Sequence, residues 1–267
     1  MKITFLGTGT SQGVPVIACD CEVCTSTSKH DKRLRVSVLI EDHGKTLVID
    51  AGPDFRYQML RAGVRRLDAI LFTHEHKDHV AGLDDVRAFN HKQQSEIDIY
   101  AHPRVQEALR KEFHYIFSGN NYPGIPRLKL NTITEHQTFN VSGISVMPIS
   151  VMHFKLPVLG FRIGDFTYIT DANSISEEEK LKINGTKLLV INALQKTKHI
   201  SHFTLDEALQ LAAEIGAKKT YITHISHNMG THREVSKELP EGVFLAYDGL
   251  EISPDSYRVD RHLDERK

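Results

Sequence analysis

Seven residues, Thr73-His74-Glu75-His76-Lys77-Asp78-His79, constrain this chain more than any other segment. Four groups able to ligate a metal (His74, His76, Asp78 and His79) fall within six positions. They follow Ala69-Ile70-Leu71-Phe72, a short apolar run that reads as a strand. They precede Val80–Asn90, which reads as a helix. In extended chain, side chains two apart point the same way, so His74 and His76 share a face. The turn into the helix then brings Asp78 and His79 round to the same hollow. Imidazoles with a carboxylate suit Zn²⁺, Mn²⁺ or Fe²⁺ rather than Ca²⁺. A solvated loop rich in histidine by chance is the bland alternative, and the density of ligands argues against it.

The rest of the chain alternates the same way. Ile3–Leu6, Val36–Ile40, Thr46–Ile49, Ile97–Tyr100, Ile144–Val151, Phe166–Ile169, Leu188–Ile191, Thr220–Thr223 and Val243–Ala246 read as strands. Helices are expected at Phe55–Ala62, Val105–Ile116, Glu177–Lys182 and Leu205–Ile215. The last carries the clearest signals: Thr204 as cap, Glu207 three residues on, and Gly216 at the end. Segment 118–131 reads as a long irregular loop of the kind that serves as a lid or binding loop. No linker divides the chain, so residues 1–267 are expected to form a single α/β domain. Three further ligand candidates close strands. His153 follows Ile144–Val151, Asp171 follows Phe166–Ile169, and His224 follows Thr220–Thr223. Strand C-terminal ends are where α/β folds place their chemistry.

Cys19, Cys21 and Cys24 are the only cysteines. C-x-C-x-x-C spacing offers three thiolates, and a tetrahedral structural zinc needs a fourth donor. His227, three residues beyond His224, is the candidate. Such a closed shell would pin the N-terminal loop to the last metal-binding strand and stay out of the chemistry. An odd count within six positions does not fit a secreted disulfide framework. The N-terminal apolar stretch is too short for a signal peptide, and no run is long enough to span a membrane. A cytoplasmic protein is therefore expected. With 33 basic and 34 acidic residues the net charge is −1. That balance excludes a globally basic nucleic-acid binder. A homodimer is the default expectation for oligomeric state.

These motifs together resemble the metallo-β-lactamase-fold hydrolases. The resemblance implies an αββα sandwich with a dinuclear site. His74, His76 and His153 would hold one metal, and Asp78, His79 and His224 the other. Asp171 would bridge them. Asp50, in Leu47-Val48-Ile49-Asp50-Ala51-Gly52, matches an aspartate that orients the ligands from behind. Gly7-Thr8-Gly9, Gln12-Gly13-Val14-Pro15, the cysteine loop, Thr223-His224-Ile225-Ser226-His227 and Asp248-Gly249-Leu250-Glu251-Ile252 narrow the likeness. They look like the branch of phosphodiesterases that opens phosphoribosyl cyclic phosphate in phosphonate degradation. The 105–131 region, with Tyr115, Phe117, Asn120 and Tyr122, looks longer than in that branch.

The resemblance implies hydrolysis of a small, cyclic phosphodiester by a metal-bridging hydroxide, with the two cations neutralising the phosphoryl oxygens. Asp78 would help orient the nucleophile. His202, in Ser201-His202-Phe203-Thr204, matches a non-ligand histidine suited to protonate the leaving alkoxide. Arg87 is a candidate for a substrate phosphate, or merely an exposed helix arginine. His43, His91, His102, His114, His136, His199, His232 and His262 are expected to be ordinary surface or loop residues. The rival activities are a tRNA 3′-processing-type nuclease, which the absence of an arm-like insertion and of basic charge disfavours, and a thioester hydrolase or lactamase. A metal-binding scaffold without turnover is the non-enzymatic rival, disfavoured by the complete ligand set.

Overall fold

The computed structural model describes residues 1–119 and 122–254. Its strands, in chain order, are β1 (Lys2–Gly7), β2 (Ser37–Asp42), β3 (Lys45–Ile49), β4 (Ala69–Leu71), β5 (Ile97–Ala101), β6 (Leu128–Thr132), β7 (Phe139–Val141), β8 (Ile144–His153), β9 (Leu156–Ile163), β10 (Phe166–Ile169), β11 (Ser174–Ile175), β12 (Leu188–Asn192), β13 (Lys219–Thr223), β14 (Val243–Leu245) and β15 (Glu251–Ile252). They form two mixed sheets. One runs β15-β1-β2-β3-β4-β5-β6. The other runs β11-β8-β9-β10-β12-β13-β14, with β7 added against β8.

The inward faces of the two sheets make one shared core. Phe5, Val38, Ile40, Leu47 and Ile49 of the first sheet meet Phe161, Tyr168, Val190 and Tyr221 of the second. The outer face of the first sheet packs on Phe55, Met59, Leu83, Phe89, Val105 and Leu109 from its helices. The outer face of the second packs on Leu205, Ala208, Leu211 and Val235. Sheets buried on both faces demand largely apolar strands, which is why β12 opens on the unbroken run Leu188-Leu189-Val190-Ile191. The result is the expected four-layer αββα sandwich.

Several elements differ from the sequence reading. The stretch Val80–Asn90 is not one helix: a short turn of helix at Lys77–Val80 gives way to a 3₁₀ turn at Leu83–Val86 and a helix at Arg87–Gln93. The break falls at Gly82, which sits so close to the Gly52 carbonyl that no side chain fits. The helix expected over Val105–Ile116 breaks at Phe113, giving Pro103–Glu112 and His114–Phe117. The supposed loop 118–131 ends in β6, paired in parallel with β5. Asn120 lies outside the described residues, as do His262 and the rest of residues 255–267. Strand β9 escaped notice because Pro157 and Gly160 look like breakers. Gly160 is needed there: a Cβ would press on the Tyr168 carbonyl oxygen at 2.8 Å. Helix His232–Glu238 is too polar to show periodicity, although the Thr231 cap and Glu234 mark its start. Among the described residues, no helix is long and apolar enough to cross a membrane.

Candidate metal centres

All the strand-end candidates converge on one edge of the sandwich. Asp50 follows β3 directly, and His74 lies three residues past β4. His153 ends β8, Asp171 lies two residues past β10, and His224 follows β13. Donor atoms of His74, His76, His153 and Asp171 gather within 4.8 Å of one another, as do those of Asp78, His79, Asp171 and His224. Asp171 belongs to both groups. Asp50, Asp171 and His224 all adopt left-handed backbone, with φ of 64°, 59° and 55°. Non-glycine residues pay for that conformation, and it recurs where a side chain must be aimed sharply off a strand. Asn192 clamps the bend at Asp171: its side chain accepts from the Ala172 amide (2.8 Å) and donates to the Ala172 carbonyl (2.9 Å).

The His74 motif is braced from both sides. His74 and His76 face each other with ring nitrogens 3.0 Å apart. The intervening Glu75 and the next residue, Lys77, turn outward. Glu75 pairs with Arg104 at 2.9 Å, and Lys77 pairs with Glu112. Helix Pro103–Glu112 therefore buttresses the motif through two ion pairs. Leu159 of β9 donates its amide to the Thr73 carbonyl at 3.1 Å, tying the motif to the second sheet.

Behind the ligands runs a chain of buried partners. Asp50 accepts from the Thr73 amide and hydroxyl, both at 2.9 Å, and lies 2.7 Å from His79 Nδ1. Thr73 Oγ1 also contacts His74 Nδ1 at 2.9 Å. His153 Nδ1 meets the Ser201 carbonyl at 2.9 Å. Each contact occupies one ring nitrogen and leaves the other aimed inward, as metal-binding imidazoles require. Thr73 and Ser201 were missed in the sequence. Their only signal is adjacency to His74 and His202.

Electrostatics fit a pair of cations. Burial tends to raise Asp171 and Asp78, but the surrounding imidazoles outweigh it and hold both carboxyls well below the usual range. His79 is pulled down by burial and pushed up further by Asp171, Asp78 and Asp50, so it ends well above its ordinary value. His74 is driven down by burial and by the neighbouring His79. Buried Nε2 atoms of His79, His202 and His224 have no hydrogen-bond partner among the described residues. They lie 3.3, 3.5 and 3.2 Å from Asp171 oxygens without the geometry of a bond. Orphaned buried nitrogens around ionised carboxylates are the donor set that a divalent cation satisfies.

His202 stacks on His224 with ring centres 4.8 Å apart and joins neither ligand group. Burial pulls it down to about 4 despite the nearby Asp171 carboxylate. His199, expected to be an ordinary residue, instead has Nδ1 3.2 Å from His202 Nδ1, with the Ser201 hydroxyl contacting both rings. Arg87 does not reach either group. Its guanidinium pairs with Asp84 at 3.5 Å, and Asp84 also accepts from the Tyr115 hydroxyl.

The cysteine loop forms a third group. Cys19, Cys21 and Cys24 Sγ lie 3.2, 3.4 and 3.6 Å from His227 Nδ1. The Cys24 amide and then His227 bring the Cys21 thiol down to about 6, whereas burial pushes Cys24 up to about 11. The Thr8 carbonyl accepts from the Ile225 amide (2.9 Å), and the Thr10 amide donates to the Ile225 carbonyl (3.1 Å). The N-terminal segment is thereby stitched between His224 and His227.

Comparison with known proteins agrees with this architecture. The profile of the β-lactamase superfamily domain matches residues 45–225. An octanoyltransferase of Porphyromonas gingivalis is 43% identical over 257 residues, covering 96% of this chain but 52% of that protein. The chain thus spans about half the length of this relative. A ribonuclease Z of Bradyrhizobium diazoefficiens is 26% identical over 76% of the chain and 73% of its own length. The crystal structure of a diphosphatase from the PhnP family superposes with a TM-score of 0.88 at 38% identity, covering 94% of this chain and 97% of the other. With the profile match and the two His/Asp groups meeting at Asp171, the chain belongs to the metallo-β-lactamase superfamily.

Proposed function

We propose that the protein is a metal-dependent hydrolase of a small phosphodiester, with a cyclic phosphate as the leading substrate. The observation that carries this reading is that Asp171 is shared between two His/Asp groups while His202 faces the same carboxylate without joining either. His74, His76, His153 and Asp171 would hold one cation, and Asp78, His79, Asp171 and His224 the other. When bound, two such cations acidify water and neutralise phosphoryl charge. Zn²⁺, Mn²⁺ and Fe²⁺ all suit the donors. The Cys19/Cys21/Cys24/His227 group would hold a structural zinc, since its four donors close a tetrahedron.

The protein's own residues supply positioning and the proton. Asp78, held ionised, orients the nucleophile from the group it shares with His79, Asp171 and His224. His202 serves as general acid. Burial leaves it mostly neutral without substrate, and an anionic phosphoester set against it raises its proton affinity. It then carries a proton to the leaving oxygen. Likeness to a protein described as a diphosphatase supports phosphoester chemistry over thioester chemistry, and puts diphosphate diesters beside cyclic phosphates as substrates to test.

The test is turnover of a panel by metal-loaded protein: bis-p-nitrophenyl phosphate, 2′,3′-cyclic nucleotides, phosphoribosyl cyclic phosphate, a dinucleoside diphosphate, a precursor tRNA and a thioester. Hydrolysis of small diesters that falls at least about 100-fold in both Asp78→Ala and His202→Ala supports the reading. Cleavage of the tRNA alone moves the protein to the nuclease reading. Thioester turnover alone, or none with metals bound, overturns it.

A further inference from the structure

Two large apolar side chains stand in solvent at the rim of the His/Asp groups. Phe154 is 48% exposed and Ile200 is 66% exposed. Single exposed apolar residues are ordinary. These two differ because the segments that carry them also carry the site. Phe154 follows His153, and Ile200 precedes Ser201 and His202. The His153 ring and the Ser201 carbonyl are in contact, so the two segments lie side by side.

One side chain fixes both. Asn173, two residues past Asp171, accepts from the Phe154 amide (2.9 Å) and donates to the Ile200 carbonyl (3.0 Å). Its own amide donates to the Met152 carbonyl at 2.8 Å. Phe154 opens the two-residue turn that joins β8 to β9, where His153 pairs with Leu156. The turn calls for positive φ, and Phe154 takes φ +57° where glycine is the usual residue. The Lys155 ammonium sits 5.4 Å from the centre of its ring. A bulky aromatic residue thus occupies a turn position that glycine usually fills, and the Asn173 amide fixes that turn beside the His/Asp groups, with the ring exposed and a cation next to it.

We infer that Phe154 and Ile200 form a stacking platform for the nucleobase of a nucleotide substrate, whose phosphate lies toward the His/Asp groups. This rests on the phosphodiesterase reading and narrows its substrate class. A flat base suits an open ring, because stacking needs a face rather than an enclosure. An alkyl chain would need a groove to bury its length. Lys155 adds positive charge on the side from which an anionic nucleotide approaches.

The test separates base recognition from turnover. With metal-loaded protein, binding of AMP and of ribose 5-phosphate is measured by calorimetry. AMP is expected to bind about 10-fold more tightly, a preference that Phe154→Ala abolishes and Phe154→Tyr retains. Ile200→Ala should reduce the preference in part. In kinetics, Phe154→Ala should raise KM for 2′,3′-cyclic AMP about 10-fold with kcat little changed, and leave phosphoribosyl cyclic phosphate within about twofold. Equal losses on both substrates would mean that Phe154 only supports His153, and would overturn the platform. So would wild-type protein that binds the two phosphates equally, or octyl phosphate that binds as tightly as AMP. Base-dependent binding without any phosphoester turnover would keep the platform and sink the hydrolase reading.

Discussion

The carboxylate of Asp50 lies 2.7 Å from Nδ1 of His79, and both side chains are fully buried. The contact leaves His79 Nε2 pointing at Asp171. It sets the ring's tautomer and angle in advance, so binding a cation costs no reorganisation at that ligand. Asp50→Asn should keep the fold yet lower affinity for one of the two active-site cations by about 10- to 100-fold. Competition with a graded chelator would read this directly. Unchanged affinity would show that Asp50 serves only the core.

Gly52 presses against the backbone of Asp78, where a Cβ would collide with the Asp78 carbonyl. Gly52→Ala should therefore displace the Lys77–Val80 turn. It is expected to destabilise by about 1–3 kcal/mol, as overpacking does. It should also weaken the cation site containing Asp78 and His79 more than the one containing His74 and His76. Thermal melts combined with metal counting per chain distinguish this from a purely global loss.

The cysteine group predicts a metal that is counted but not catalytic. Cys24→Ser should remove one zinc per chain and lower Tm by about 5 °C or more, because the loop that carries Cys19 and Cys21 loses its metal-held anchor at His227. Turnover measured well below the new Tm should change far less than in Asp78→Ala. Loss of the two active-site cations in the same variant would contradict the separation of the sites.

His202 gives a pH signature in chelator-treated protein. Its pKa is about 4 folded, against an ordinary value near 6.5. The unfolded chain therefore binds this proton first on acidification, and stability falls as pH drops from about 6.5 through about 4. The full effect is on the order of 3 kcal/mol at 1.36 kcal/mol per unit. His202→Gln should flatten the profile by that share, leaving the slope due to His74 and His153, which burial also lowers. Parallel profiles for the two proteins would refute the buried, neutral imidazole.

Local chemistry was legible in the residues themselves. The His74–His79 motif marked its own candidate ligands, which the structure gathers, because side-chain direction along a strand and round a tight turn follows from sequence spacing. His153, Asp171 and His224 announced themselves at strand ends. The Thr204–Glu207 capping box was readable and is present, with both reciprocal bonds formed. The apolar runs gave most strands to within a residue or two.

Two relations between distant segments were expected, His227 with the cysteines from their spacing and Asp171 in both ligand groups from the family resemblance, and both groups form; the tertiary structure decided the others. No local signal says that Asp171 serves both ligand groups, since that depends on β10 packing between β9 and β12. None says that Arg87 is taken by Asp84, which also accepts from Tyr115, or that His199 sits on His202. The left-handed turns at Asp50, Asp171 and His224 carry a conformational cost that Asp and His bear better than most residues, and at Asp171 the Asn192 side chain helps to hold the bend. Strand β9 forms in spite of Pro157 and Gly160, because pairing with β8 along its whole length outweighs local propensity. The sequence determined which atoms could bind a metal, and packing of the two sheets determined which of them meet.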